Sequence, residues 1–448
     1  MAENQRPGYR DVIQLPESNG AEVAGLNVLI NPTQSVSGKV KAPPSKAQTH
    51  RALFAGLLSR GTTTIHNPLS CDDTKASANV VSSLGGKLRL GDEGWNVESD
   101  GVPHPPSGRI DCGESGVTLR FTIPIASLAE AEVRLSGSPG LMRRPLQPLI
   151  EAMKQIGVMI YAEGNEVRVG AGLAKGGAVR VPGNISSQFI SGLLFAGPLM
   201  KEGLEMTVTS RLESRGYVAL TVKTLKQHGI KLRTNSNLSL FHVYGRQAYS
   251  PFEHSIPGDY SSAAFLMAAA AVTDSRIVIT GLSQDDEDPD AAFVKMLAQM
   301  GARPSFSSDG LHVEGRGLKA AKVDIRDCPD LGPVMAVVGA CAEGKTEITG
   351  AERLRYKESD RLEATASELG KLGAEVNVTG DGFVASGPSA LTGGSVDSHG
   401  DHRIAMSLAV AALNAAEPVT IRNAECVSKS YPRFFEDFRS LGVDVAER

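Results

Sequence analysis

An α/β fold of two lobes, each holding three copies of one helix–glycine–strand unit, is what this sequence predicts. The first observation behind it is a repeat. The segments "SSLGGKLRL", "KQIGVMI", "KQHGIKL", "AQMGARP", "GKLGAEVNV" and "RSLGVDV" each run from a helix-like stretch through a glycine into a strand-like one. Their glycines, Gly85, Gly157, Gly229, Gly301, Gly373 and Gly442, stand 72, 72, 72, 72 and 69 residues apart. Glycine at such a point ends a helix in the left-handed conformation, which a residue without Cβ adopts at little steric cost. The second observation is the pattern just beyond the glycine. "AEVNVTGDGFVAS" and "RPSFSSDGLHVEG" alternate in polarity on both sides of a glycine-containing turn, the pattern of a hairpin. The third is length. A chain of 448 residues exceeds one ordinary core. The repeat is also longer than the ~20–50 residues of a stacked solenoid unit, so two lobes of three units fit better than one array.

In chain order, residues 1–24 are polar and contain Pro and Gly; they are expected to form a flexible extension, and they lack the apolar core of a secretory signal. Residues 25–43 together with 258–448 are expected to build a discontinuous first lobe, and residues 44–257 the second. The crossings are the stiff Pro43-Pro44 and the turn at Pro257-Gly258 in "EHSIPGDYSS". Directly after the first crossing, "PPSKAQTHRALFAGLLS" enters a helix. Ser45 caps it, Leu53, Phe54, Leu57 and Leu58 follow helical spacing, and Lys46 and Arg51 stand near its positive end. "CGESGVTLRFTIP" sets Gly113 and Gly116 before a helix and Arg120 one turn inside. "MRRPL" supplies Arg143 and Arg144. "PGNISSQFISGLLF" opens a helix with Ser186, Ser187 and Gln188, more polar groups than capping requires and well suited to phosphate oxygens.

The second half repeats the theme. In "RLRYKESDRLEATASELGKLG", Asp360 fits an acidic helix cap, with room for salt bridges one turn apart. Lys357 and Arg361 do not fit, because the helix dipole disfavours cations at that end; facing an anion, they do. "HGDHRIAM" places Arg403 in the same way after Gly400 and Asp401, and "CVSKSYPRFF" puts Lys429 on a turn before the last helix. Lys46, Arg51, Arg120, Arg144, Lys357, Arg361, Arg403 and Lys429 together predict an anion site drawn from both lobes. Glu358, and Asp330 in "DCPDLGP", are candidate acids or bases within that cationic setting. Such a set implies a cleft that closes on small polyanions.

Composition narrows the classes. Net charge is −4, against a general nucleic-acid binder. Hydrophobic residues make up 41% and charged residues 21%, as in ordinary globular chains, and no apolar run reaches the ~18 residues of a membrane span. Five scattered cysteines without C-x-x-C spacing point to reduced thiols and a cytoplasmic protein. His399 and His402 form an isolated H-x-x-H on a turn, with no cysteine nearby, and no metal is expected. The phosphate loop G-x-x-x-x-G-K-[ST], the strand–G-x-G-x-x-G–helix fingerprint and the hydrolase motif G-x-S-x-G are all missing.

From about Gly25 to the C-terminus, the chain resembles the 5-enolpyruvylshikimate-3-phosphate synthase family of enolpyruvyl transferases. The resemblance is carried, in order, by "PSKAQTHRA", "ESGVTLR", "SSQF", "YKESDRL", "GDHRIAM" and "SKSYPRFF". It implies a two-lobed inside-out α/β barrel of six βαβαββ repeats, three per lobe. It implies transfer of the carboxyvinyl group of phosphoenolpyruvate to the 5-hydroxyl of shikimate 3-phosphate, with release of phosphate, on the route to chorismate and the aromatic amino acids. No metal or organic cofactor is implied. The expected partners are the two small substrates, with neither nucleic acid nor membrane, and the chain is expected to act as a monomer.

By resemblance, Lys46 touches both substrates. Arg51, Ser186, Ser187, Gln188, Ser214, Tyr217, Asp330 and Lys357 receive shikimate 3-phosphate. Gly116, Arg144, Gln188, Arg361, Arg403 and Lys429 hold phosphoenolpyruvate. Asp330 takes the 5-hydroxyl proton, and Glu358 with Lys46 protonates the methylene carbon. Four positions depart from the family pattern: Ala47 stands where a serine is common, Arg353 where some members have asparagine, and Val117 and Phe121 where some have Thr and Pro. A sister family acts on UDP-N-acetylglucosamine, but it usually carries a cysteine on the loop matching "GSPGLMRRP", which has none here. A bilobal binding protein for anions would share the cleft but would not need Glu358 and Asp330 inside it.

Overall fold

Six separate four-stranded sheets carry the fold among the described residues. The structure, a computed structural model, describes residues 25–91, 94–170, 174–284 and 287–448. The extension expected at residues 1–24 lies outside them. One unit stands for all six. Strand Lys322–Asp324 leads into helix Gly332–Cys341, strand Gly344–Thr349, helix Arg361–Lys371 and the hairpin Glu375–Val378/Phe383–Gly387. The first two strands pair in parallel, Val323 opposite Ile348, and the hairpin adds antiparallel, with Thr346 opposite Ala385. Each unit is thus βαβαββ, and no strands close into a barrel among the described residues. The six repeat glycines all have positive φ, just after the second helix of each unit.

Three units are completed by strands from elsewhere in the chain. Ser37–Lys41 pairs in parallel with Arg276–Thr280. Val28–Ile30 sits between Val419–Arg422 and Val445–Glu447. Glu253–Ser255 pairs in parallel with Arg60–His66. The two segments carrying Pro44 and Gly258 run side by side in an antiparallel bridge. There the Ser45 N–H donates to Pro257 O at 2.8 Å, and the Asp259 N–H to Pro43 O at 2.7 Å. Buried apolar residues fall into two clusters. One takes in Val28–Ala42 and residues beyond Tyr260; the other runs from Ala52 to Ile256.

Within each cluster the first helix of every unit lies inside and the sheets lie outside. Helix Tyr260–Val272 is buried at every position, and His402–Ala412 likewise. A helix without a polar face has no stable place at the surface. The second helices are amphipathic: Arg361–Lys371 buries Leu362 and Leu369 and turns Glu363 and Lys371 outward. Where inner helices cross, small residues let the backbones meet. A Cβ on Gly192, in Ser187–Ala196, would lie 2.5 Å from the Arg120 carbonyl oxygen of helix Gly116–Ala126. Gly192→Ala is therefore expected to cost about 1–3 kcal/mol of stability. A urea midpoint unchanged from the parent would show that the helices separate freely. Among the described residues, no helix is long and apolar enough to cross a membrane.

Candidate active site

The inner helices converge on a single cleft. Its lining includes Lys46 and Ala47, Gly116 and Val117, and Ser186, Ser187 and Gln188, all at helix N-termini of one cluster. Facing them are Asp259 and Ser261, Pro329 and Asp330, and His402 and Arg403, at or just before helix N-termini of the other. Unpaired N–H groups and the positive dipole ends favour anions there. Local sequence explains the starts: Ser45, Ser115, Ser186, Asp259 and Asp401 each accept a backbone N–H as caps.

Two carboxylates and a set of cations form a continuous network across the cleft. Arg144 NH1 lies 3.3 Å from Glu358 Oε1, and Glu358 Oε2 accepts from Arg361 NH2 at 2.7 Å. Asp330 Oδ1 accepts from Arg361 NH1 at 2.8 Å and from Lys357 Nζ at 2.9 Å. Asp330 Oδ2 is 4.0 Å from Arg403 NH2. Arg361 also donates to both oxygens of Asp401, at 2.8 and 3.1 Å. Within the opposite wall Lys46 Nζ meets Asp73 Oδ2 at 2.7 Å, and Arg120 NH1 donates to Gln188 Oε1 at 2.8 Å. Burial alone raises the Asp330 carboxyl, but Lys357, Arg361 and Arg403 outweigh it and hold the group well below the usual range. At Glu358 burial is likewise outweighed, by Arg144 and Arg361. At Lys46 burial works downward, yet Asp73 leaves the amine raised. Burial, then Lys46, hold His50 and His402 well below the usual imidazole value, which favours the neutral ring.

Every site residue expected from the sequence lines this cleft except Lys429. Lys429 Nζ instead donates to Gly400 O at 2.8 Å and pairs with Glu114 on the opposite side. A lysine amine needs a counter-charge, and here Glu114 supplies it. Arg51 lines the cleft, but its nitrogens are engaged inside their own cluster, with Thr221 Oγ1, Ala47 O and Tyr217 O at 3.0, 2.7 and 2.7 Å. All four departing positions, Ala47, Val117, Phe121 and Arg353, line the cleft. His399 and His402 diverge: His399 Nε2 meets Glu368 Oε1 at 2.7 Å, while His402 faces the cleft.

Sequence reasoning missed three further carboxylates around the cleft, Asp73, Asp401 and Asp290. Asp73 reads as an ordinary acidic first turn of helix Asp72–Ser83, and nothing in its neighbourhood marks it as the partner of Lys46. Asp401 carried a signal, since "GDHR" repeats the acid-before-arginine order of "SDR". Asp290, which accepts from Tyr217 OH at 3.0 Å, carried none. The two clusters also touch through Lys223–Glu287 at 3.1 Å and Arg353–Glu213 at 2.5 Å, so the cleft is closed.

Residues 30–438 match the family model described as EPSP synthase (3-phosphoshikimate 1-carboxyvinyltransferase). Over 418 residues the chain is 40% identical to a 3-phosphoshikimate 1-carboxyvinyltransferase of Clostridium perfringens, covering 93% of this chain and 98% of that one. A protein of the same description from Halobacterium salinarum is 39% identical over 437 residues, 95% of this chain and 99% of that one. Among solved structures, EPSP synthase from Acinetobacter baumannii superposes with a TM-score of 0.78 at 27% identity, covering 94% of this chain and 100% of that one. The enolpyruvyl transferase NikO from Streptomyces tendae reaches the same TM-score at 19% identity over 95% of this chain and 99% of that one, a likeness of fold.

Proposed function

The chain belongs to the EPSP synthase family, and from that membership we propose how its cleft carries out the reaction. It is a transferase that moves the carboxyvinyl group of phosphoenolpyruvate to the 5-hydroxyl of shikimate 3-phosphate and releases phosphate. The observation that best supports the proposed mechanism is the pair Asp330 and Glu358, each held by Arg361 within one cluster of cations. A protein that only bound anions would gain nothing from two carboxylates there, since each repels the ligand.

In the proposed division of work, Arg144, Arg361, Arg403 and Lys429 take the phosphate and carboxylate of phosphoenolpyruvate. Lys429 must leave Glu114 to do so. Ser186, Ser187, Gln188, Ser214, Tyr217 and Lys357 receive shikimate 3-phosphate, with Arg51 stiffening that wall. Gly116 opens a helix whose N–H groups face the anions, with no side chain in the way. Glu358, helped by Lys46, protonates the methylene carbon, and C2 becomes electrophilic. Asp330 takes the proton of the 5-hydroxyl as its oxygen attacks C2. The adduct then returns a methyl proton to Glu358 as the C2–O bond to phosphate breaks, and the departing phosphate takes up the proton held by Asp330, leaving the enol ether and inorganic phosphate.

Electrostatics favour this order. Asp330 and Glu358 are poor proton carriers while the cations lean on them. Substrate anions that draw Arg144, Arg361 and Lys357 away raise both carboxyls toward working values, so binding primes the chemistry. Closure excludes water and strengthens each contact. We propose residues 25–43 with 258–448 and residues 44–257 as the two closing bodies. Both walls come from one chain, which supports action as a monomer, and the five free cysteines support a cytoplasmic setting.

The test is phosphate release from phosphoenolpyruvate. Release is expected with shikimate 3-phosphate and at background level without it. Release only with UDP-N-acetylglucosamine would replace the acceptor.

A further inference from the structure

We propose that Arg353 is a positioning residue that acts through Ser214, turning its hydroxyl toward the acceptor substrate only when the lobes are closed; this rests on the proposed function. Ser214 is the N-cap residue of helix Arg215–Gln227, yet its side chain does not cap. Its backbone is left-handed, φ 52 and ψ 43, a conformation disfavoured for any residue with a Cβ. The other lobe holds it there. The Ser214 N–H donates to Arg326 O at 3.4 Å, and the next N–H, of Arg215, to Asp327 Oδ1 at 3.1 Å.

Arg353 completes the clasp. Its NH2 donates to Ser214 Oγ at 2.9 Å and to Arg326 O at 2.7 Å, and its Nε lies 2.5 Å from Glu213 Oε2. Both Arg353 and Ser214 are buried and line the cleft. A guanidinium has no acceptor, so the serine oxygen must accept in this contact. The hydroxyl proton then points elsewhere, and among the described residues Ser214 Oγ has no other partner. What remains for it is a group in the cleft. Opening the lobes would withdraw Arg353 and free the hydroxyl to turn, so the donor is set by closure. Under the proposed function, phosphoenolpyruvate is held by Arg144, Arg361 and Arg403, none of which hydrogen-bonds Arg353. The effect of Arg353 should therefore fall on one substrate.

Steady-state kinetics of the full chain test this, using the parent, Arg353→Gln, Arg353→Lys, Ser214→Ala and the Arg353→Gln/Ser214→Ala double variant. Arg353→Gln is expected to raise the KM for shikimate 3-phosphate about 10- to 100-fold and that for phosphoenolpyruvate less than about threefold. Lysine should recover only part of the loss, since it lacks the planar fork. The double variant should be no worse than the poorer single one, because both remove the same contact. A rise of both KM values together, or multiplying effects in the double variant, would overturn the proposal. Should Arg353→Gln fail to fold, Glu213→Gln with Ser214→Ala provides the same cycle from the other side of the clasp. A parent inactive with shikimate 3-phosphate would sink the proposed function itself; an active parent with no KM split sinks only the role of Arg353.

Discussion

Asp330→Asn is expected to lower turnover by about 10²–10⁴-fold, the usual contribution of a positioned general base, while both substrates still bind. The carboxylate touches Lys357 and Arg361 at 2.9 and 2.8 Å through one oxygen. An amide keeps the shape and can offer its oxygen to both cations. It cannot take a proton from the 5-hydroxyl. Removing the negative charge also leaves the cations freer for the substrate anions, so affinity for shikimate 3-phosphate should hold or rise. Turnover from initial rates and affinity from calorimetry separate the two effects. Unchanged turnover would falsify Asp330 as the base. Loss of binding in step with turnover would make it a ligand holder only.

The largest effect on stability is expected from Arg361→Met, about 3–5 kcal/mol, the cost of stranding buried charge when one partner is removed. Arg361 is 1% exposed and contacts Asp330, Glu358 and Asp401 at once. Without it three carboxylates remain in a closed cleft with too few cations. The direction of the shifts sets the pH dependence. Asp330 and Glu358 titrate lower in the folded protein than in the unfolded chain, so the unfolded state binds more protons on acidification. Their stabilisation is complete above the ordinary carboxylate values of about 4 and is lost as pH falls through the folded values. The gap between parent and variant should thus be widest near neutrality and narrow in acid. Urea unfolding at several pH values measures it; a gap constant with pH would mean that Arg361 acts by packing alone.

Much of this protein was legible without coordinates because its information is local. A glycine that must be left-handed ends the second helix of each unit, and six of them at near-equal spacing disclose six units. Serine and aspartate caps mark where helices begin, and cations just past a cap, as at Lys46 and Arg361, conflict with the helix dipole strongly enough to signal a ligand. The partners of those cations are another matter. Lys46 finds Asp73 27 residues away, Tyr217 finds Asp290 73 residues away, and Arg353 finds Ser214 139 residues away. No periodicity or motif spans such gaps.

By itself, then, the sequence determined the repeating unit, the polar helix starts and the sign of charge the cleft would display, since backbone conformation and dipole direction depend on neighbours within a turn or two. Only the tertiary structure decided which carboxylate meets which cation, where Lys429 and Arg51 point, and that Arg353 clasps a strained serine across the lobes. Those choices depend on distances between helix ends brought together by two separate cores. Coulomb attraction and desolvation act through space, and neither is written along the chain.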